Sequence, residues 1–127
     1  MIINGSKQLR VPSVLDEKEY ENLSLWVASK IEERLLKGYK SFTIIDLFGD
    51  NSWNWSRNKF PIQIVYNRWF DKYQKENPNL DYDTLSLKAF KAAGVSVGYL
   101  IKKACNDSKR SFRMVSEFNA CTRYILY

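Results

Sequence analysis

Residues 84–106 read TLSLKAFKAAGVSVGYLIKKACN, and this stretch decides the fold. Thr84–Ala93 has the composition of a helix, and Gly94 interrupts it. Ser96 can cap a second helix that runs to about Asn106. Two helices joined at a glycine are therefore expected. After a short basic link the period changes. Phe112, Met114 and Phe118 alternate with Arg113, Val115 and Glu117. Thr122, Tyr124 and Leu126 do the same against Arg123, Ile125 and Tyr127. A period of two is that of strands, and Asn119-Ala120-Cys121 is the expected hairpin turn.

Upstream, the pattern is helical. Tyr20, Leu23, Val27, Ile31 and Leu35 recur at helical spacing, flanked by Trp26. Asp16, Glu17 and Glu19 open that helix, Arg34 and Lys37 close it, and Gly38 supplies a left-handed stop. Thr43 and Asp46 have the spacing of a capping box for a short second helix ending at Gly49. Asp50–Phe60 is read as a polar loop whose Trp53 and Trp55 lid the core. Pro61 opens a third helix with Ile62, Val65, Trp69 and Tyr73 inward, closed by Asn77-Pro78. The chain thus reads as one α+β domain, mainly helical. Residues 1–14 form an irregular arm, 15–77 a helical body, and 84–127 the helix pair and hairpin.

Composition narrows the chemistry. The 127 residues are 45% apolar, with four Trp, eight Tyr and seven Phe, enough to bury a core. There is no histidine, which excludes Ser-His, Cys-His and His-metal constellations within one chain. Cys105 and Cys121 are too few for a four-ligand zinc site or a disulfide framework. Cys105, beside Ala104 and Ile101, reads as an inert core thiol. No apolar run suits a signal peptide or a membrane span, so a cytoplasmic protein with no membrane association is expected. The net charge is +6, of which residues 101–127 carry +4: Lys102, Lys103, Lys109, Arg110, Arg113 and Arg123 against Asp107 and Glu117. Such a local excess is the electrostatic footprint of a polyanion partner.

Helix, Gly94 turn, helix, basic link and hairpin resemble a winged helix-turn-helix domain over Thr84–Tyr127. Ala93 and Val95 flank the turn glycine, and Leu100 follows it by six residues, as in that family. Phe90 departs from it, since a small residue usually stands four before the glycine. The resemblance implies that the helix from Ser96 enters the major groove of duplex DNA and that the hairpin is the wing. Ser96, Val97, Tyr99, Lys102 and Lys103 are then readers and clamps, Asn106, Lys109 and Arg110 backbone contacts, and Arg113 and Arg123 wing contacts. No catalytic residue, metal or cofactor is implied. A homodimer is compatible with such a domain.

Other readings compete. The same helices and hairpin could build a different small α+β fold. Gln63, Tyr66, Asn67 and Arg68, after Arg57 and Lys59, could make the helix at 61–77 the recognition helix instead. Asp81 and Asp83, with Asp107-Ser108-Lys109, resemble the acid-and-lysine pattern of restriction-type nucleases, but they fall in turn and link positions rather than on a strand. The chain also resembles, in type and size, small aromatic-rich basic proteins of phages and mobile elements that block host or defence proteins. The favoured expectation is a non-enzymatic DNA-binding regulator, with such a protein-binding inhibitor as the alternative.

Overall fold

A computed structural model describes residues 1–5, 10–49, 61–116 and 122–127. The elements are α1 (Glu17–Leu36), β1 (Ser41–Phe42), α2 (Ile44–Phe48), α3 (Gln63–Glu76), α4 (Tyr82–Asp107), β2 (Phe112–Ser116) and β3 (Thr122–Leu126). This is an α+β, mainly helical arrangement. The expected loop at 50–60, with Trp53 and Trp55, and the expected turn at 119–121 lie outside the described residues.

Local chemistry explains the first two helices. Asp16 accepts from the Glu19 amide, and the Glu19 carboxylate accepts from the Asp16 amide, a closed capping box. Gly38, at φ 95°, turns the chain out of α1 in a conformation only glycine adopts cheaply. Thr43 and Asp46 form the expected second capping box before α2. Leu23, Val27, Ile31 and Leu35 bury one stripe of α1. In α3, Val65 and Tyr66 are buried, and Trp69, Phe70 and Tyr73 pack against the core.

The helix pair does not form. α4 runs without interruption through Gly94 for 26 residues, with Asp81 as its N-cap. The apolar stripe explains why. Leu85, Ala89, Ala93, Val97, Leu100 and Cys105 are all buried, in steps of three to five that pass Gly94 in phase. A turn there would rotate half of this stripe away from α1 and α3, both of which pack on α4. That loss exceeds the cost of about 1 kcal/mol for a glycine inside a helix. Phe90, the residue that fitted the helix pair poorly, stacks on Tyr66 of α3 with ring centroids 4.5 Å apart.

The two expected strands form over Phe112–Ser116 and Thr122–Leu126, β2 pairing antiparallel with β3 from Phe112↔Leu126 to Ser116↔Thr122; Glu117 and Phe118, expected in the first strand, lie outside the described residues. Two partners were not legible. β1 adds to the other side of β3, giving the order β1-β3-β2. The irregular arm covers the free edge of β2. Ile2, fully buried, bridges Phe112, and the Asn4 side chain both donates to the Met114 carbonyl and accepts from its amide. Phe42 stacks on Tyr124 and meets Phe112 edge-on, closing the inner face of the sheet.

Candidate nucleic-acid interface

With α1, α3 and the sheet around it, α4 exposes one narrow face. Lys88, Lys91, Val95, Tyr99, Lys102 and Asn106 follow at steps of three and four, which places them within about a quarter of the helix circumference. The row is about 27 Å long at 1.5 Å per residue. Lys88 and Lys91 are exposed, Val95 is 63% exposed, and Tyr99, Lys102 and Asn106 are half-buried. The acids of α4, Asp83 and Asp107, fall outside this arc. Among the described residues Lys88, Lys91 and Lys102 have no carboxylate partner. Lys88 lies over the Tyr73 ring at 5.0 Å and Lys102 over the Tyr99 ring at 5.4 Å. Arg10, from the arm, adds a fourth cation 6.0 Å from the Tyr99 centroid.

Tyr99 stands between two depressions. One, of about 290 Å³, is bordered by Gly94, Gly98, Lys102 and Thr122. The other, of about 310 Å³, lies toward Arg10, Pro12 and Trp69. Apart from its chain neighbours and the local helix backbone, nothing lies within 4 Å of where a Gly98 Cβ would stand.

The residues expected at the interface are not one surface. Tyr99, Lys102 and Asn106 share the outer face of α4. Ser96, expected to cap a recognition helix and read bases, is 4% exposed in mid-helix; its hydroxyl bonds the Ala92 carbonyl and accepts from the Trp69 indole. Val97 is fully buried. Lys103 turns toward α1, pairing with Asp107 at 2.8 Å and lying 5.9 Å over Tyr20. Asp107 holds its ammonium pKa above the ordinary lysine value. Arg110 pairs with Glu32 of α1 at 3.2 Å, with exposed Lys109 beside it. Arg113 is exposed on the outer face of the sheet. Arg123 reaches Ser41 and Asp46. Lys88, Lys91 and Arg10 were not among the expected residues because the local charge count near them is balanced; for the two lysines, helical phase was the available signal.

The competing sites are likewise engaged in structure. On α3, Tyr66 is buried and bonds the Ser86 hydroxyl at 2.9 Å, and Arg68 holds Glu19 at 2.6 Å. Asp81 caps α4 and Asp107 holds Lys103. Among the described residues no group of three potential metal-ligating side chains occurs. Burial pushes the Cys105 thiol up to about 12, the property of an inert core cysteine. Among the described residues no helix is long and apolar enough to cross a membrane.

Comparison with protein-family models, with curated proteins and with solved structures found no match.

Proposed function

We propose that the protein is a non-enzymatic nucleic-acid-binding protein that holds DNA through its phosphates along the outer face of α4. One observation carries this reading: three lysines aligned on that face, joined by Arg10, with no carboxylate partner among the described residues. Uncompensated cations in a row attract a polyanion and gain by releasing its counterions. The winged-helix reading keeps its C-terminal hairpin but loses the glycine turn. Contact along the side of a long helix therefore replaces insertion of a short recognition helix. Asp81 and Asp107 are engaged in a cap and an ion pair, which weighs against the acid-and-lysine nuclease pattern.

The test is a titration against random duplex DNA at two salt concentrations. Each lysine on a phosphate adds about 0.9 to the magnitude of the log–log salt slope. Replacing Lys88, Lys91 and Lys102 together with Ala is expected to weaken binding and flatten the slope by up to about three units. An unchanged slope overturns the reading. The runner-up, a protein that binds and blocks a host or defence protein, draws support from Leu25 and Leu36. These are 68% and 79% exposed on one side of α1, about three turns apart. It predicts no duplex affinity at physiological salt.

A further inference from the structure

We propose that Tyr99 is a stacking platform for an unpaired base, so that the α4 face takes single-stranded nucleic acid in preference to duplex. This rests on the nucleic-acid reading above. Phosphates alone require only the lysines. The centre of the row is instead apolar and aromatic, with Val95 and Tyr99 between Lys91 and Lys102. That order, cations outside and a ring inside, matches a strand whose phosphates lie along the face and whose base turns inward.

The ring is positioned for this. Tyr99 is half-buried and lines two depressions. Its cations stand off: Arg10 at 6.0 Å and Lys102 at 5.4 Å from the centroid, whereas Arg34 closes on Tyr39 to 3.8 Å in the same protein. Direct contact between flat groups is made at about 3.5–4.0 Å, and both Tyr99 cations stand farther than that from the ring centre. Gly98, immediately before it, carries no side chain and lines one of these depressions together with Tyr99. A base stacked there gains from the ring face and from the nearby cations. In a duplex the base faces are already stacked on one another, and only edges and phosphates are offered.

The experiment compares a labelled mixed-sequence single strand of about sixteen nucleotides with its duplex, by fluorescence anisotropy at fixed salt. The wild type is expected to bind the single strand more tightly. Tyr99→Ala is expected to lower the single-strand-to-duplex preference about five- to hundredfold while keeping the salt slope, because no charge is removed. Tyr99→Leu, which keeps apolar packing, is expected to do the same, and Tyr99→Trp to restore the preference. Tighter duplex binding, or a preference unmoved in both variants, overturns the inference while leaving phosphate-mediated binding intact. Failure to bind either form overturns the nucleic-acid reading itself.

Discussion

The indole Nε1–H of Trp69 donates to the Ser96 hydroxyl at 2.8 Å, tying α3 to the middle of α4 where the sequence pattern suggested a helix start. The same hydroxyl donates to the Ala92 carbonyl at 2.9 Å, so its two bonds lie on either side of one oxygen. Ser96→Ala with Trp69→Phe in a double-mutant cycle is expected to give a coupling of about 0.5–1.5 kcal/mol. An N-capping Ser96 would instead make the two substitutions additive. Denaturant titration of the four proteins decides between these outcomes.

Gly98 offers a second test of the continuous helix. Its backbone lies inside α4, its φ is not among the positive values, and an added Cβ meets nothing within 4 Å beyond its chain neighbours and the local helix backbone. Gly98→Ala is therefore expected to stabilise by about 1 kcal/mol and to raise Tm by about 4 °C. A lower Tm would mean that the chain is not helical there.

Much of the fold was legible because its signals are local. The acidic start of α1, capping at Thr43, the stops at Gly38 and Gly49, and the alternation of β2 and β3 each lie within a few residues. What was not legible depends on distant packing. β1 is two residues long, too short for a periodic pattern, and exists because Lys40–Phe42 meets β3. Gly94 is a breaker by local propensity, but burial on both sides of it outweighs that preference. Of the residues named from sequence, Tyr99, Lys102 and Asn106 do share one face of α4. The charge count could not separate them from Lys103, Arg110 and Arg123, whose carboxylates are supplied by Asp107, Glu32 and Asp46.

The Glu19–Arg68 pair sets a pH dependence. The Arg68 hydrogen bond, above all, holds the Glu19 carboxyl below its ordinary value of 4.5. A depressed pKa contributes stability that is complete above the unfolded value and is lost as pH falls through the folded one. The stability difference between wild type and Glu19→Gln is therefore expected to be constant near neutrality and to shrink below about pH 4.5. Thermal melts at stepped pH measure it, and a difference that grows toward acid would refute the assignment.

Cys105 is expected to resist modification. It is fully buried, and desolvation raises its thiol to about 12, so thiolate is scarce at neutral pH. In a Cys121→Ser background, a disulfide reagent at pH 8 should label the folded protein only at the rate of unfolding and label it at once in denaturant. Rapid labelling of the folded form would show that this core opens.

The sharpest functional prediction contrasts two sets of cations that the sequence places side by side. Lys91 and Lys102 lie on the open face of α4, whereas Lys103 and Arg110 answer Asp107 and Glu32 on the side of α1. A cation already held by a carboxylate must break that pair to neutralise a phosphate, so its net gain on binding is smaller. Lys91→Ala with Lys102→Ala is expected to flatten the log–log salt slope by about 1.8 units. Lys103→Ala with Arg110→Ala removes the same charge and is expected to flatten it by well under one unit. Equal total charge makes this a test of position rather than of overall electrostatics, and anisotropy titrations over a range of salt concentrations measure it. If the larger change follows Lys103 and Arg110, the interface lies between α1 and the end of α4, and the outer face is not where nucleic acid binds.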